Sequence, residues 1–502
     1  MRLRASFFLV GVSAVFAQLG DLPNDVPQKP LFPLPPPPVF LSAAEQQRTF
    51  RLAPGFQIEL VADETLVHDP VAVAFDLDGN LWVAEMTGLN REMPRFLPAL
   101  TDGLTELPPG KIVKLESSRG DGRFDRRTVF LDGLDAPRAL AILRDGVLVA
   151  DPPYLWLVRD TDGDGRGDEK TVVSDAYGRK GDDESSANGL VWGRDNFIHS
   201  SAHDEAIRLR QGRWEHVTVP KRGQWGLTQD DCGRFFFTRN IGQTRADLFS
   251  PYYARRNPHV TDLPWMNALP HDHLIVWPRH PTPSGNRGYR LGQPGTSNKG
   301  LRRDGSLLEF TSAGGTALYR GANFPPAFYN NAFTPDPVGN LIKRSVLLET
   351  EGRISVVNAY EGREFLTSTD ERFRPVTIAN APDGSLIVVD LYRGMIVDYP
   401  VLSSYLKDQL LNRRLNRPFF GTGRIWRITY TAGPLEKQRP DLLHRNGEKL
   451  AELLSHPNAW WRDTAQQALV EREDRTAVPY LERMALTAEQ DITRVYALWT
   501  LD

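Results

Sequence analysis

Hydrophobic and polar residues alternate with a period of two in short runs that recur along most of the chain. The clearest runs are PVAVAFDLDGNLWVAE, PRALAILRDGVLVADP and PVTIANAPDGSLIVVD, which begin at Pro70, Pro137 and Pro375. The first and third align without gaps, and the second aligns with one gap. Each run predicts two buried strands joined by a tight turn, in which Asp-Gly supplies the positive φ angles of a hairpin.

The repeated unit extends to other parts of the chain. Looser copies begin at Asn188 and Gly226, and the stretch NNAFTPDPVGNLIKRSVL carries the outer part of a sixth. A second repeat lies beside the first, since RGDGRFDRRTVF from Arg119 matches DGDGRGDEKTVV from Asp162. Several four-stranded units in series are typical of a β-propeller. We therefore predict an all-β fold, a six-bladed β-propeller, over residues 44–432.

The pattern changes to a helical period after GRIWRITYT. Apolar residues recur at helical spacing in PDLLHRNGEKLAELLSHPNAWWRDTAQQALVER, with a break at His456-Pro457 and with Asn458 placed to cap the next helix. Pairs of such helices stack in solenoids of the HEAT kind. We predict a short α-helical, HEAT-like segment over residues 438–502. The pattern stops in mid-repeat at Asp502, as expected of a truncated array.

The N-terminal residues combine a charged start with an apolar run. Arg2 and Arg4 precede that run, which ends in small residues of the kind a signal peptidase recognises. The run is shorter than the roughly 20 residues needed to span a bilayer. We predict a cleaved signal peptide at residues 1–17, a secreted or periplasmic protein, and no transmembrane segment after cleavage. The next residues are rich in proline, which predicts an extended linker over 18–43.

The composition narrows the functional classes. The chain of 502 residues is 40% hydrophobic, carries a formal net charge of -3 and contains one cysteine, Cys232. Nucleic-acid binding needs a basic face, so no nucleic-acid partner is expected. A single cysteine excludes internal disulfides and the CxxCH attachment motif of a c-type haem. We therefore expect no haem in this chain.

The stretch RDTDGDGRGDEKTV has the acidic spacing of a calcium loop. Acidic residues occupy positions 1, 3, 5 and 9 of such a loop and Gly165 occupies position 6, but position 12 is Thr171 instead of glutamate. The flanking runs are β-branched or aromatic, so the loop is predicted to join two strands. Hard oxygen ligands at this spacing favour calcium, and the alternative is a solvated acidic turn. The predicted ligands are Asp160, Asp162, Asp164, Asp168 and the backbone carbonyl of Arg166.

Six motifs together carry a resemblance to a known family. They are HDPVAVAFDLDGNLWVAEM, NGLVWGRDNFIH, PTPSGNRGYR, TSAGGTALYRG, FRPVTIANAPDGSLIVVDLYRGMI and GRIWRI. Over residues 45–500 the chain resembles the membrane-bound dehydrogenase family of secreted bacterial propellers. That family is similar to the soluble quinoprotein glucose/sorbosone dehydrogenases, and its members often continue into HEAT repeats and a cytochrome c domain. The resemblance implies a six-bladed propeller with a pyrroloquinoline quinone (PQQ) site at its top face.

The resemblance also implies candidate site residues. In the sugar dehydrogenases the general base is a histidine just ahead of a Gly-led inner strand, where this chain has DDESSAN. His203 and Asp204, in FIHSSAHD, are candidates for a replacement base and its orienting acid. Arg222, in KRGQWGL, stands where that family carries an arginine that faces the quinone. Arg222 and Arg374 are the candidate cofactor-binding residues, and Arg222 is also a catalytic candidate.

The remaining histidines have weaker patterns. His199 and His203 share one face of a predicted strand but lie roughly 13 Å apart there, too far to bind one ion. His271, His273 and His280 lie on a long insertion, where they form either a metal site or an exposed polar edge.

Two carboxylates occupy matching places in the repeat. Glu85 and Asp390 end equivalent strands of two blades. They are expected either to line a central funnel or to pair with Arg91 and Arg393.

Three functions are compatible with these patterns. The first is a secreted quinoprotein-type dehydrogenase that oxidises a small sugar or alcohol and passes electrons to a cytochrome partner, because no haem is expected in this chain. The second is a calcium-dependent lactonase-type hydrolase, in which a central cation activates water. The third is a non-catalytic propeller that binds glycan or protein partners.

Overall fold

The computed structural model contains a ring of sheets and a group of helices. It describes residues 34–87, 94, 98, 101, 103–178, 186–240, 242–254, 256–259, 266–268, 274–283, 301–350, 353–396 and 402–502. The predicted signal peptide at 1–17 and most of the predicted linker lie outside these residues, as do Arg91, His271 and His273. None of the helices in these ranges has the length and apolar character needed to span a bilayer.

The described strands form six sheets, which we number as blades 1 to 6 in chain order. The chain first forms α1 (Ala43–Thr49), β1 (Phe50–Leu52) and β2 (Phe56–Ala62). Blade 1 contains β3 (Pro70–Phe75), β4 (Leu81–Glu85), β5 (Gly110–Glu116) and β6 (Arg126–Leu134). Blade 2 contains β7 (Ala139–Leu143), β8 (Gly146–Asp151), β9 (Tyr154–Arg159) and β10 (Glu169–Ser174). Blade 3 contains β11 (Asn188–Trp192), β12 (Ile198–Ser201), β13 (Glu205–Arg210) and β14 (Arg213–Thr218).

The second half of the ring is less regular. Blade 4 contains β15 (Trp225–Gln229), β16 (Phe235–Arg239), β17 (Gly242–Asp247) and, after the short helix α2 (Pro251–Ala254), β18 (Met266–Ala268). Blade 5 contains β19 (Ala317–Leu318), β20 (Ala332–Asp336), β21 (Leu341–Thr350), β22 (Arg353–Asn358) and β23 (Leu366–Ser368). Blade 6 contains β24 (Pro375–Asn380), β25 (Leu386–Asp390), α3 (Ser404–Asn412) and β26 (Arg424–Tyr430). The first strand of each blade is the innermost, and later strands lie farther out; in blade 5, β22 and β23 both pair with β21.

Strands from the beginning of the chain close the ring. β2 pairs antiparallel with β26 and becomes the outermost strand of blade 6, while β1 pairs with β23 in blade 5. The inner strands of consecutive blades contact one another from β3 to β24, and β24 contacts β3. Apolar side chains fill the gaps between blades; Val83 and Val113 of blade 1, for example, pack against Ile387 and Ile425 of blade 6. This closed arrangement confirms the predicted six-bladed propeller.

The hairpin turns between first and second strands follow the predicted chemistry in two of three copies. Gly79 and Gly384 have φ angles of 78° and 88°, as an Asp-Gly turn requires. In blade 2, Gly146 instead pairs with Leu143 as the first residue of β8, so the turn is made by the two residues between them. A Cβ atom on Gly146 would lie 2.7 Å from the carbonyl oxygen of Val158. The glycine is therefore explained there by close packing of two strands and not by its φ angle.

A helical segment follows the propeller, as predicted. Its helices are α4 (Gly447–Glu452), α5 (Ala459–Arg472), α6 (Val478–Thr487) and α7 (Asp491–Leu501). Asn458 caps α5 by accepting a hydrogen bond from the backbone N–H of Trp460 at 3.0 Å. Trp461, Leu469 and Tyr496 are buried in the core of the segment. The assignment of these helices to HEAT repeats stays a prediction.

The helical segment packs on the face of the ring that carries the turns between first and second strands, which we call the lower face. The backbone N–H of Leu442 donates to the carbonyl of Leu77 in the blade 1 turn at 3.0 Å. The Trp461 indole N–H donates to the carbonyl of Pro382 in the blade 6 turn at 2.9 Å. Arg194 in the blade 3 turn and Arg320 after β19 both bind Asp463 of α5. The segment is thus bound to blades from around the ring.

Glu471 makes this interface sensitive to pH. Burial and, more weakly, the nearby Asp145 raise the pKa of Glu471 to about 8 against the opposing effect of Arg144. Because the folded state binds a proton that the unfolded state releases near pH 4.5, stability should fall as the pH rises from about 4.5 towards 8. We expect Glu471→Gln to raise the unfolding temperature at pH 8 by a few degrees and to change it little at pH 4.5. Scanning calorimetry at both pH values checks this, with the exposed Glu482→Gln as the control; equal shifts at both pH values would contradict it.

Candidate functional site

The second strands of the blades end on the face opposite the helical segment, which we call the upper face. Four of these strands end in buried carboxylates, Asp336 on β20 and, in the three clearest copies of the repeat, Glu85 on β4, Asp151 on β8 and Asp390 on β25. Burial raises the pKa of Glu85, Asp151 and Asp390, and that of Asp390 reaches about 6. Sequence reasoning missed Asp151, although it holds the matching position in the copy that begins at Pro137.

Each of these three carboxylates stabilises its own blade through hydrogen bonds and does not line a central funnel. Each accepts a hydrogen bond from the segment that enters the inner strand of its own blade. The bonds run from His68 N to Glu85 (2.9 Å), from Ala136 N to Asp151 (2.6 Å) and from Arg374 N to Asp390 (2.8 Å). Arg393, which the sequence offered as a partner of Asp390, instead pairs with Asp69 at 2.7 Å. Glu85 pairs with Arg127 at 2.8 Å.

His203 follows β12 on the upper face, with a ring that is only 8% exposed. Its ring centroid lies 4.6 Å from that of Tyr177, whose hydroxyl is hydrogen-bonded to Ser200 at 2.7 Å. Burial lowers the pKa of His203, so the neutral imidazole predominates at neutral pH. A neutral imidazole held in place by packing against an aromatic ring can accept a proton from a ligand.

The structure brings Asp204 beside His203. The Oδ1 atom of Asp204 lies 3.9 Å from His203 Nδ1, which is an ion-pair distance and longer than a hydrogen bond. The Asp204 side chain is 76% exposed, so water screens its charge. Asp204 can therefore favour a proton on Nδ1, which leaves Nε2 as the accepting nitrogen.

Arg222 is placed differently from His203, although their backbones meet through a hydrogen bond from Ala202 N to Arg222 O (2.6 Å). The guanidinium of Arg222 is buried between blades 3 and 4, where Nε donates to Asp247 at 2.6 Å. It also lies 5.0 Å from the ring centroid of Phe235. Its charge is therefore matched by a neighbouring carboxylate within the propeller.

Arg222 also determines the tautomer of His199. Nη1 of Arg222 lies 3.5 Å from His199 Nδ1, and an arginine can only donate. Nδ1 of His199 therefore accepts, and Nε2 donates to Asp195 at 3.0 Å. The result is a buried polar connection from Asp247 to Asp195 that links two blades, and His199 and His203 do not share a ligand position.

Arg374, the second predicted cofactor residue, is fully engaged with the backbone. Its Nε donates to the carbonyl of Arg393 at 2.9 Å and its Nη1 to that of Pro337 at 2.6 Å, while Nη2 donates to Gly394. Burial lowers its pKa to about 10, so it stays charged at neutral pH. These contacts fit a residue that fixes the loop ahead of β24.

Arg372, two residues earlier, has the unused donors that Arg374 lacks. It is 2% exposed, and its Nη2 donates to the carbonyls of Arg414 (3.2 Å) and Arg417 (2.9 Å). Nε and Nη1 are buried without a hydrogen-bond partner among the described residues. A buried charged donor without a partner is costly, so these atoms fit an anionic ligand group such as a carboxylate. Sequence reasoning missed Arg372, whose only signal is its place beside Arg374 in RFRPV.

His280 lies close to the same loop. Its Nδ1 is 2.6 Å from the carbonyl of Pro281, so Nδ1 carries the hydrogen and Nε2 is an acceptor. Nε2 and Oδ2 of Asp370 are both buried without a partner in the described ranges. Burial lowers the pKa of His280, which Asp370 opposes. His280 is therefore a half-buried neutral group with a buried Nε2 and is not part of an exposed polar edge.

The acidic loop joins β9 and β10 at the outside of blade 2. Carboxylate oxygens of Asp160, Asp162 and Asp168 lie within 4.8 Å of one another, and all three residues are exposed. Asp160 also accepts hydrogen bonds from the backbone of Gly163 (2.8 Å) and Gly165 (2.9 Å). The fourth predicted ligand, Asp164, accepts from the backbone N–H of Arg166 at 2.8 Å and is not in the cluster of three.

This loop also contacts the neighbouring blade in the same way as its sister loop. The backbone N–H of Gly167 donates to Phe130 O on blade 1 at 2.7 Å. In the sister loop, Phe124 at the matching position donates to Val61 O on blade 6 at 3.0 Å. Both loops therefore bridge a blade to the outermost strand of the blade before it.

The fold defines a six-bladed β-propeller protein with a polar upper face and a helical segment on its lower face. The chain belongs to the family described as "Domain of unknown function (DUF7133)", whose model matches residues 42–432. No curated protein matches the chain.

Solved structures with a similar fold include proteins of different activities. The apo-form soluble aldose sugar dehydrogenase from Escherichia coli is 11% identical, with a TM-score of 0.38 over 75% of this chain and 99% of that one. The PQQ domain of pyranose dehydrogenase from Coprinopsis cinerea is 12% identical, with a TM-score of 0.38 over 76% and 97%. Virginiamycin B lyase from Staphylococcus aureus is 13% identical, with a TM-score of 0.32 over 68% and 81%. Similarity at this level identifies neither a substrate nor a reaction.

Proposed function

We propose that the protein is a quinone-dependent dehydrogenase that oxidises a sugar or alcohol at its upper face. The observation that carries the proposal is the buried guanidinium of Arg372, whose Nε and Nη1 have no partner among the described residues. Quinone cofactors of the PQQ kind carry carboxylates, which are the groups an unpaired guanidinium binds best. The sequence resemblance to quinoprotein dehydrogenases supports the same class of ligand.

We assign each residue of the proposed site a separate role. Arg372 would hold a carboxylate of the cofactor, while Arg374 and Arg222 fix the surrounding loops and blades through the contacts described above. His203 takes the hydroxyl proton of the substrate at Nε2, and Asp204 favours the resulting imidazolium. PQQ, when bound, would supply the two-electron oxidant that conversion of the substrate hydroxyl to a carbonyl requires.

The proposal also covers the electron acceptor and the location of the protein. Two electrons must leave the cofactor after each turnover, and a cytochrome is the electron acceptor proposed for this step. A secreted or periplasmic location is proposed from the predicted signal peptide at residues 1–17.

A dye-linked oxidation assay over a panel of sugars and alcohols tests the function. With PQQ added, the protein should reduce the dye in the presence of at least one substrate, and omission of PQQ should remove that activity. Acid release from a lactone without dye reduction would support the hydrolase alternative. Glycan binding without turnover would support a binding propeller, and either result would overturn the dehydrogenase.

We further propose that the acidic loop of blade 2 binds one structural calcium ion. The cluster formed by Asp160, Asp162 and Asp168 supplies hard oxygen ligands, and water completes the shell because position 12 is Thr171. Since the loop bridges to blade 1 through Gly167, an ion there would stabilise the junction of two blades. Its place at the outside of the blade favours a role in stability.

Calcium should therefore raise the unfolding temperature of chelator-treated protein. Calcium at 100 times its Kd would add about 2.7 kcal/mol to the free energy of unfolding, a shift of a few degrees. Asp162→Ala should abolish the shift without changing activity. Asp121→Asn in the sister loop is the control and should leave it intact. Equal unfolding temperatures with and without calcium in the unaltered protein would end the proposal.

A further inference from the structure

Residues 34–42 form a Pro-rich latch on the upper face of blade 6. The guanidinium of Arg413 donates to two successive carbonyls of the latch, from Nε to Pro35 at 3.3 Å and from Nη2 to Pro36 at 3.2 Å. Proline has no N–H, so a Pro-rich stretch binds through its carbonyls and loses little conformational freedom when it docks. The stretch that the sequence predicts as an extended linker is therefore bound to the propeller in its last residues.

The other end of the latch is held by a second set of contacts. The backbone N–H of Leu41 donates to the hydroxyl of Tyr392 at 3.0 Å, and Arg424 donates to the carbonyl of Leu41 at 2.6 Å. The ring of Phe40 packs edge-on against Tyr392, with centroids 5.1 Å apart. Phe40 remains 41% exposed, so the latch lies on the surface and can separate from it.

Arg413 belongs to the insertion of residues 402–417 between β25 and β26. It also forms a two-pronged ion pair with Glu371, at 2.8 Å and 2.5 Å, and both side chains are almost completely buried. Glu371 precedes Arg372 in the chain. One guanidinium thus binds the latch on one side and the loop that carries Arg372 on the other.

The same insertion touches Arg372 directly. The carbonyls of Arg414 and Arg417 accept from Nη2 of Arg372, while Nε and Nη1 have no partner among the described residues. The position of this guanidinium therefore depends on the insertion, and the insertion is held by the latch through Arg413.

We propose that the latch positions Arg372 for its ligand: docking of residues 34–42 on Arg413 keeps the insertion in the conformation that presents Nε and Nη1. Arg413 is then a positioning residue that touches no substrate. The role assigned to Arg372 rests on the proposed function, whereas docking of the latch stands on its own contacts.

Chymotrypsin cleavage after Phe40 in the full chain measures docking. Arg413→Gln should speed this cleavage about tenfold or more, because hydrogen bonds from a charged donor are lost and cleavage follows opening of the segment. Pro35→Gly with Pro36→Gly leaves the propeller intact and should also speed cleavage, since the free latch gains conformational freedom. Lys407→Gln, an exposed residue of the same insertion with the same charge change, should cleave at the unaltered rate. Unchanged cleavage in the proline variant and in Arg413→Gln would overturn the latch.

Absorbance titration with PQQ measures positioning. Both latch variants should bind PQQ about tenfold more weakly than the unaltered protein and Lys407→Gln, the loss expected when about 1.4 kcal/mol of binding free energy is removed. Faster cleavage with unchanged PQQ affinity would overturn the positioning role while retaining the latch. No binding by the unaltered protein would overturn the proposed function and the role of Arg372 together, and the cleavage result would still decide docking.

Discussion

Asp463→Ala is expected to lower the free energy of unfolding by about 3–5 kcal/mol, because it removes the carboxylate that pairs with buried Arg194 and leaves buried Arg320 with Asp231 alone. Asp463 binds Arg194 at 2.9 Å and Arg320 at 2.8 Å, and it accepts from the hydroxyl of Tyr496. Both arginine side chains are at most 5% exposed. Arg320, Arg194 and the Tyr496 hydroxyl hold the pKa of Asp463 well below its usual range against the effect of burial. The helical segment should therefore separate from the lower face more easily.

Urea unfolding followed by circular dichroism checks this prediction. In the variant, the helical signal should be lost at lower urea than the sheet signal, whereas both should change together in the unaltered protein. Asp491→Ala removes an acid of α7 whose side chain is 88% exposed and serves as the control. The same midpoint for Asp463→Ala and the control would show that the interface contributes little.

His203→Ala is expected to reduce kcat for the substrate found in the dye-linked assay by about 10²–10⁴-fold, the usual contribution of a general base. The pKa of His203 lies below the ordinary value of 6.5 because the ring is buried. The ring is active when neutral. As the pH is lowered, kcat/KM should therefore stay constant to values below 6.5 and should fall only when the pH reaches the lowered pKa of His203.

A matched histidine in the same blade provides the control. His216 lies on β14 with a side chain that is 35% exposed and pairs with Glu205 at 3.1 Å. His216→Ala should leave kcat at neutral pH unchanged. Equal kcat values for His203→Ala and the unaltered protein would remove His203 from the mechanism.

The fold was predictable because one short pattern recurs. The alternation of apolar and polar residues after Pro70, Pro137 and Pro375 predicts each hairpin from a short stretch of sequence. The same pattern identified the hairpins of blades 3 and 4. The closure of the ring was not predictable in this way. β2 pairs with β26, and Leu60 lies opposite Trp426 from the other end of the propeller, with no local signal in either strand.

The candidate site was predictable only in part, for a related reason. His203 and Asp204 are neighbours in the sequence, so their proximity on the upper face follows from the chain itself. The position of the Arg372 guanidinium depends on backbone carbonyls of an insertion, and the repeat pattern does not describe that insertion. The partner of Arg222 is Asp247, and that pairing turns a predicted ligand group inward between two blades. Residue type and spacing identified the basic groups, but packing decides which of their donors are unused.

Titration of the protein with PQQ, followed by absorbance, tests the central claim most directly. The account predicts saturable binding by the unaltered protein and by Lys407→Gln, and binding that is weaker by about tenfold or more in Arg372→Gln, because charge-assisted hydrogen bonds to a carboxylate are lost. Equal affinity in Arg372→Gln and the unaltered protein, or no binding by the unaltered protein, would contradict it.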